Sequence, residues 1–188
     1  MSVAGLVLAA GAGRRSGGPK ALRLRDDGTS WVAHACTVLA EAGCAPVVAV
    51  LGAAAEEARS LVPPGVASVV AEDWDEGMGA SLRAGLAALT HTDADACLVH
   101  LVDLPDVDAR VVARVLATLE DHPDPGTHLA RAAYAGVPGH PVLLGRAHWP
   151  AITATARGDR GARDHLAAEA PRLVECGDLA TGVDRDHG

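Results

Sequence analysis

A glycine-rich segment near the N-terminus contains most of the residues whose types suggest chemistry. Residues 11–20 read Gly-Ala-Gly-Arg-Arg-Ser-Gly-Gly-Pro-Lys and directly follow an apolar run. Glycines let backbone N–H groups approach a phosphate closely, and successive N–H groups form an anion-binding concavity. The segment ends at Lys20, the only lysine beside fifteen arginines. Because a lysine ammonium is a compact point charge, the segment predicts a site for the phosphates of a nucleotide.

Three phosphate-binding patterns compete for this segment. A dinucleotide fingerprint, G-x-G-x-x-G, needs glycine where the chain has Ser16, and it should run directly into a helix. A P-loop needs lysine directly after Gly18 and then a hydroxyl residue, but Pro19 intervenes and Ala21 follows Lys20. The third pattern is a resemblance to a known family, described below with its other motifs.

An aspartate follows the apolar run 96–102 and is a candidate metal ligand. Asp103 precedes Leu104 and Pro105, which places its carboxylate at the carboxyl end of the expected strand. Open α/β sheets bind ligands at this edge, and Mg²⁺ favours one or two protein carboxylates together with phosphate oxygens. The alternative is that Asp103 caps the next helix or forms an Asx turn.

Two further segments are candidates for binding a second substrate. Trp74 and Ser81 flank a Gly77-Met78-Gly79 turn that opens an Ala-rich helix, and a helix N-terminus can meet a phosphate or simply begin a helix. Near the other end of the chain lie three candidates, each with a structural alternative. These are His140 before Pro141, Asp159 as a ligand or a helix cap, and Arg163 as a ligand for an acceptor phosphate.

The elements that must position these residues alternate between strands and helices. Apolar runs rich in Val and Leu predict buried strands at 5–9, 46–51, 66–71 and 96–102. Helical periodicity predicts helices at 30–42 with Ser30 as N-cap, 53–61, 79–89 and 107–119. This order is typical of a doubly wound α/β fold with a mainly parallel sheet.

After Pro123 the pattern changes. Short strands are predicted at 129–134 and 142–144, helices at 147–156 and 162–170, and a last strand at 172–176. We expect a local antiparallel excursion here, which makes the sheet mixed. No linker divides the sequence, so we expect one domain over residues 1–188.

Composition narrows the class of protein. Hydrophobic residues make up 49% of the chain but Phe is absent, so the core must be built from Ala, Val and Leu. No apolar run approaches the roughly 20 residues that a membrane span needs, and no signal peptide is evident, so we expect a cytoplasmic protein. The net charge of −8 argues against a nucleic-acid partner. Four isolated cysteines predict reduced, mostly buried thiols, with Cys44 and Cys176 as candidates for exposure.

The first loop and four later motifs together resemble one enzyme family. Leu8-Ala9-Ala10-Gly11, followed by Arg15, Gly17 and Lys20, resembles the signature loop of the molybdenum cofactor cytidylyltransferases. The similarity continues in order along most of the chain, through these segments: Trp74 with Gly77, Met78 and Ser81; Asp103 with Pro105; Gly139-His140-Pro141-Val142; and Gly158-Asp159-Arg160-Gly161-Ala162-Arg163. Five motifs in the family's order are a specific signal.

The resemblance implies a fold and a set of site residues. The implied fold is a Rossmann-like sheet of the nucleotide-diphospho-sugar transferase type. The implied nucleotide-binding residues are Leu8, Ala9, Ala10, Gly11, Ala12, Gly13, Arg15, Lys20, Ser81 and Asp103, of which Arg15, Lys20 and Asp103 are catalytic. The implied acceptor-binding residues are Trp74, Gly77, Met78, His140, Asp159 and Arg163. Mg²⁺ is expected on Asp103 and, from a weaker match, on Asp184.

The resemblance also implies a reaction. CMP would pass from CTP to the terminal phosphate of molybdopterin with release of pyrophosphate, and a molybdenum hydroxylase would receive the product. The cytidine preference depends on Ala10, where guanine-using relatives have glycine. Two alternatives stay open. One is an acceptor such as a sugar phosphate or methylerythritol phosphate, and the other is a nucleotide- or cofactor-binding protein without turnover, suggested by Ala71 and Val102 in place of family residues.

Overall fold

A seven-stranded mixed sheet forms the centre of the molecule. The computed structural model describes residues 1–14 and 17–185. The strands are β1 (Val3–Leu8), β2 (Val47–Leu51), β3 (Ala67–Val70), β4 (Ala96–Leu101), β5 (Leu129–Tyr134), β6 (Val137–Gly145) and β7 (Arg172–Glu175). Their order across the sheet is β3-β2-β1-β4-β6-β5-β7. Only β6 pairs antiparallel with its neighbours, so the expected mainly parallel, mixed sheet is confirmed.

Helices cover both faces of this sheet. They are α1 (Trp31–Glu41), α2 (Ala55–Ser60), α3 (Met78–Leu89), α4 (Ala109–Leu116), α5 (Trp149–Thr155) and α6 (Arg163–Glu169). The apolar sides of α1, α2 and α4 pack on one face, and those of α3, α5 and α6 pack on the other. The doubly wound α/β architecture predicted from the alternating pattern is therefore confirmed.

The helices approach the strands closely because small residues lie at the contacts. A Cβ added at Gly5 in β1 would lie 2.9 Å from a Leu39 methyl group of α1. A Cβ at Gly85 in α3 would lie 2.6 Å from a Leu6 methyl group on the other face of β1. The core around these contacts consists mainly of Ala, Val and Leu, as the composition predicted.

Two caps fix the helices that border the ligand edge of the sheet. The Ser30 hydroxyl accepts a hydrogen bond from Ala33 N at 3.2 Å, which confirms the predicted start of α1. At α4 the cap is Asp108, whose Oδ1 accepts from Arg110 N at 2.9 Å. The alternative reading of Asp103 as the cap of this helix is therefore wrong.

Three predictions about the elements need correction. The strand expected at 142–144 is part of the nine-residue strand β6, since β6 pairs with both β4 and β5. The helix expected at 107–119 is α-helical only over Ala109–Leu116 and ends in a 3-10 turn. Cys44 and Cys176 are 4% and 0% exposed, so neither is at the surface, and burial raises the pKa of Cys44 to about 12.

Within the described ranges, no helix combines the length and the apolarity that crossing a membrane requires.

A buried histidine in β4 makes stability depend on pH. His100 is 1% exposed, and burial, followed by the charges of His140 and His34, lowers its pKa to about 3. The unfolded chain takes up this proton near pH 6.5, whereas the folded chain does not, so the stability contribution is lost as the pH falls below 6.5. We expect His100→Leu to reduce the slope of unfolding free energy between pH 6 and 4 by about 1 kcal/mol per pH unit.

Urea denaturation at a series of pH values measures this slope. His91→Leu is the control, because His91 is exposed in the folded protein. An unchanged slope in His100→Leu would contradict the prediction.

Candidate active site

The candidate site lies where two adjacent parallel strands end. The chain leaves β1 toward β2 and β3 on one side of the sheet, while β4 pairs with β1 on the other side. This reversal of strand order is a topological switch point, where open α/β sheets bind their ligands. The glycine-rich loop that follows β1 and the aspartate that follows β4 therefore face one crevice.

A cavity of about 340 Å³ fills this crevice. It is lined by Leu8, Ala10, Gly11, Gly13, Arg14, Lys20, Trp74, Gly77, Met78, Ser81, Leu101, Val102, Asp103 and Asp159. Its size falls within the range of small-molecule sites, about 300–1,000 Å³. We refer to it as the nucleotide cavity.

A lysine and an aspartate from distant parts of the chain meet in the nucleotide cavity. Lys20 Nζ donates to Asp103 Oδ2 at 2.7 Å, and each side chain is only 16% exposed. Asp103 Oδ1 is buried and has no hydrogen-bond partner among the described residues. A buried carboxylate oxygen without a donor suits a divalent cation, since Mg²⁺ prefers carboxylate oxygens. The donor set at this position therefore fits a metal ion.

The C-terminal segment contacts the loop that carries Asp103. Arg185 N donates to the backbone oxygen of Asp103 at 2.9 Å, and Thr181 N donates to Asp106 Oδ2 at 2.7 Å. These bonds hold Asp184 beside the Asp103 backbone, although the Asp184 side chain is exposed and does not line the nucleotide cavity. The predicted pair of metal aspartates is thus brought near one point of the fold, with only Asp103 facing the cavity.

The N-terminus of α3 opens into the nucleotide cavity. Gly77 precedes the helix with φ of 112°, and no side chain caps the first turn of the helix. Its uncapped N–H groups and the positive end of the helix dipole favour an anion. Trp74 and Ser81 line the cavity on either side of this turn. A Cβ at Gly77 would lie 2.5 Å from Asp159 Oδ1, so the turn and Asp159 are in direct contact.

A second, smaller cavity of about 120 Å³ adjoins the first and shares Leu8, Met78 and Asp159 with it. His140 of β6 and Arg163 of α6 both line it. Burial, followed by the charge of Arg131, lowers the pKa of His140 to about 4. His140 is therefore neutral at pH 7. We refer to this cavity as the arginine pocket because three arginines, Arg131, Arg160 and Arg163, line it.

The sequence-predicted residues divide between the two cavities. Those that line the nucleotide cavity are Leu8, Ala10, Gly11, Gly13, Lys20, Trp74, Gly77, Met78, Ser81, Asp103 and Asp159. Those that line the arginine pocket are Leu8, Met78, His140, Asp159 and Arg163. Ala9 is buried in the core and Ala12 lines neither cavity. Arg15 lies outside the described residues.

Sequence reasoning missed several lining residues. Arg14 and Leu101 line the nucleotide cavity, and Arg131 and Arg160 line the arginine pocket. For Arg131 a signal was present, because it is the only charged residue in the otherwise apolar strand β5. Asp159 was considered as a helix cap, but α6 has no side-chain cap and begins after Ala162.

Gly79, in the first turn of α3, packs directly against the backbone of Ala156 and Arg157. A Cβ at Gly79 would lie 2.7 Å from Arg157 N and 2.9 Å from the carbonyl carbon of Ala156. Backbone atoms cannot move away as a flexible side chain can, so we expect Gly79→Ala to destabilise the protein by about 1–3 kcal/mol.

Gly11→Ala is the matched control for Gly79→Ala, because a Cβ at Gly11 meets nothing within 4 Å. We expect this control to change the free energy of unfolding by less than about 0.5 kcal/mol. Chemical denaturation of both variants decides the question, and equal stability of the two would contradict close packing at Gly79.

Comparison with known proteins identifies related sequences. The protein-family model described as "MobA-like NTP transferase domain" matches residues 5–173. A protein of Paenarthrobacter nicotinovorans named nicotine blue oxidoreductase is 40% identical over 98% of this chain and 92% of its own length. A bifunctional enzyme IspD/IspF of Rhizorhabdus wittichii is 37% identical over 63% of this chain, but this match covers only 31% of that enzyme.

Solved structures show the same fold. The crystal structure of Rv0371c from Mycobacterium tuberculosis H37Rv superposes with a TM-score of 0.80 and is 29% identical, covering 98% of this chain and 93% of that one. A structure of Rv0371c in complex with manganese has a TM-score of 0.76 and 26% identity, covering 98% and 94%. The fold is of the nucleotide-diphospho-sugar transferase type, as the motifs implied.

Proposed function

The chain belongs to the MobA-like NTP transferase family of nucleotidyltransferases, and on that premise we propose that it transfers CMP from CTP to the terminal phosphate of molybdopterin. Pyrophosphate is the second product. The family membership confirms the resemblance drawn from the motifs, whereas the nucleotide and the acceptor are parts of the proposal.

One observation supports nucleotidyl transfer above the others. The glycine-rich loop with Lys20 and the carboxylate of Asp103 face one cavity at the switch point of the sheet. Phosphoryl and nucleotidyl transfers need little covalent help from a protein and depend on positioning and on cations around the phosphates. The cavity offers both, since Lys20 supplies a fixed cation and the loop supplies backbone donors.

Each residue has a role in this reaction. An oxygen of the acceptor phosphate attacks the α-phosphorus of CTP, and the bond from the α-phosphorus to the bridging oxygen breaks as pyrophosphate leaves. Lys20 and Arg15 neutralise the charge that develops on the leaving pyrophosphate. The uncapped N-terminus of α3 at Gly77 lies across the cavity and favours the negative charge of the acceptor.

A divalent cation completes the proposed site. Asp103 would hold it through the carboxylate, with Asp184 as a second candidate from the C-terminal segment. When bound, Mg²⁺ stabilises negative charge on the phosphate oxygens and helps to orient them for displacement. The unpartnered Asp103 Oδ1 supports a cation at this place, and the manganese complex of Rv0371c supports the use of a divalent cation by a protein of this fold.

Base choice and acceptor choice have different support. Ala10 lines the nucleotide cavity, where a methyl group in place of a glycine hydrogen would narrow the space for a base and favour cytosine over guanine. The molybdopterin acceptor is supported by the segments 139–142 and 158–163, whose His140, Asp159 and Arg163 line the arginine pocket. A molybdenum hydroxylase as recipient of the product is part of the same proposal.

The proposal is tested by measuring pyrophosphate release. Purified protein is incubated with Mg²⁺ and each of CTP, GTP, ATP and UTP, with and without molybdopterin or its molybdenum form. CTP-selective release that requires the pterin is expected. CTP binding without pterin-dependent release would overturn the molybdopterin assignment. Sugar phosphates and methylerythritol phosphate are the next acceptors, because part of this chain is similar to an IspD/IspF enzyme.

A redox activity is the second candidate function, because the relative that is 40% identical is named nicotine blue oxidoreductase. The loop after β1 argues against a dinucleotide site, since position 16 is Ser16 and the next helical element is a 3-10 turn at Lys20–Leu22. Two results together would favour the redox function. The protein would oxidise NADH or NADPH in the presence of nicotine blue, and it would release no pyrophosphate from any nucleotide.

A further inference from the structure

Arg131 and Arg160 of the arginine pocket have no role in the proposed reaction. Arg131 lies on β5, Arg160 ends the 3-10 turn Gly158–Arg160, and Arg163 is the first residue of α6. Asp159 is the only carboxylate that lines it, and Asp159 lies at the boundary with the nucleotide cavity. Three guanidinium groups thus face a concave space with one carboxylate at its edge.

Two of these arginines have no acidic partner. Arg131 donates from Nε and Nη2 to the backbone oxygen of Gly139 at 3.2 and 3.0 Å. In the described part of the chain, no carboxylate lies within 4 Å of Arg131 or Arg163, whereas Arg160 is 3.3 Å from Asp164. Burial, followed by the charge of Arg163, lowers the pKa of Arg131. The fold therefore places two like charges close enough to interact, and neither forms an ion pair within the described part of the chain.

An anion bound between these two guanidinium groups would stabilise the arrangement. A partly buried charge loses hydration, and its neighbour of the same sign adds repulsion. An oxyanion between the two guanidinium groups relieves both costs, because the planar fork of arginine matches carboxylate and phosphate geometry. The Gly139 carbonyl orients the Arg131 fork and leaves Nη1 without a protein partner in the described residues.

The pocket is separate from the reacting atoms and it is small. Neither Lys20 nor Asp103 lines it, so a group bound there is remote from the α-phosphorus. Its volume of about 120 Å³ is smaller than the roughly 150 Å³ cavity that holds one benzene molecule. It therefore suits a compact group.

We propose that the arginine pocket binds a compact oxyanion of the acceptor, a carboxylate or a phosphate-like group distinct from the attacking phosphate, with Arg131 and Arg163 as its ligands. This inference rests on the proposed nucleotidyl transfer, because it treats the pocket as the distal part of the acceptor site. Arg131 becomes a specificity-determining residue that selects acceptors with a second anionic group.

Anion binding is measured with the nucleotide cavity already filled. Inorganic phosphate and, separately, malonate are titrated by calorimetry into protein saturated with Mg²⁺ and a non-hydrolysable CTP analogue, at constant ionic strength. We expect saturable binding of both anions, weakened at least tenfold in Arg131→Gln and in Arg163→Gln. Arg172→Gln is the control, since Arg172 lies on the exposed strand β7 outside the pocket.

Two variants are used because misfolding of one of them could also abolish anion binding. Arg131→Gln loses two hydrogen bonds to Gly139, but the Arg163 side chain makes no hydrogen bond in the described structure and Arg163→Gln has none to lose. Unchanged anion affinity in Arg163→Gln would overturn the inference. So would a wild-type protein that binds the CTP analogue but neither anion.

Inhibition kinetics distinguish a pocket that binds an oxyanion of the acceptor from a pocket that binds a free anion. In a transfer assay with an acceptor that carries a second anionic group besides the attacking phosphate, inorganic phosphate and malonate should compete with the acceptor and not with CTP. Inhibition that is not competitive with the acceptor would assign the pocket to a free regulatory anion and overturn the inference. Failure of the CTP analogue to bind would count against the proposed function instead. The titrations repeated without the analogue would then still decide whether Arg131 and Arg163 bind an anion.

Discussion

Asp103→Asn is expected to reduce the rate of pyrophosphate release by at least about 10²- to 10³-fold. The change keeps the size of the side chain but removes the negative charge and one carboxylate oxygen. The amide oxygen must face Lys20 Nζ, which donates to Oδ2, so the amide nitrogen takes the place of Oδ1. Oδ1 is the buried atom without a hydrogen-bond partner in the described structure, and it is the atom that a cation would satisfy. Turnover is measured at saturating CTP over a range of Mg²⁺ concentrations.

The control for this variant lies on the same loop. Asp108→Asn changes the N-cap of α4, where asparagine caps as well as aspartate, and Asp108 does not line the nucleotide cavity. We expect Asp108→Asn to keep its turnover and its stability. Turnover of Asp103→Asn within tenfold of the wild type would show that Asp103 is not the main cation ligand.

Much of the fold follows from the sequence because local signals and global topology agree. The run of Val and Leu in β4 ends at Asp103, and the parallel pairing of β4 with β1 brings that end beside the loop that ends at Lys20. Alternation of strands and helices was enough to predict that these two segments meet at one edge of the sheet, since parallel strands carry their carboxyl ends to one side.

The direct contact between Lys20 and Asp103 could not be predicted in the same way. The two residues are 83 positions apart, and the conformation of a glycine-rich loop is not specified by periodicity. The position of Asp184 depends on three hydrogen bonds, one from Arg185 N to the backbone oxygen of Asp103 and two from Thr181 to Asp106 Oδ2. None of them has a local signature in the sequence.

The role of Arg131 depends on strand register. Arg131 pairs with Val142 of β6, and the register shifts between Arg131 and Ala133. Because side chains alternate between the faces of a sheet, such a shift determines which residues point toward α6. A charged residue in an apolar strand is visible in the sequence, but the face that it occupies is not.

Lys20→Met is expected to have two opposite effects. Turnover should fall by about 10²- to 10³-fold, because the variant loses the only lysine charge that can stabilise the leaving pyrophosphate. Affinity for a divalent cation without nucleotide should rise by about tenfold, equivalent to 1.4 kcal/mol. In the wild type Lys20 Nζ lies 2.7 Å from Asp103 Oδ2, so a cation must compete with an ammonium for that carboxylate.

The two effects are measured separately. Mn²⁺ titration followed by electron paramagnetic resonance gives the cation affinity of the wild type and of Lys20→Met. Arg172→Gln is the control, and its affinity should be unchanged.

The competition between Lys20 and the cation for Asp103 also predicts that CTP draws Lys20 away from Asp103. Reductive ¹³C-methylation labels Lys20 selectively beside the N-terminal amine, since the chain has no other lysine. The Lys20 signal should shift when CTP and Mg²⁺ are added together and much less with Mg²⁺ alone. Equal Mn²⁺ affinity of Lys20→Met and the wild type would show that the contact between Lys20 and Asp103 does not control access of the cation.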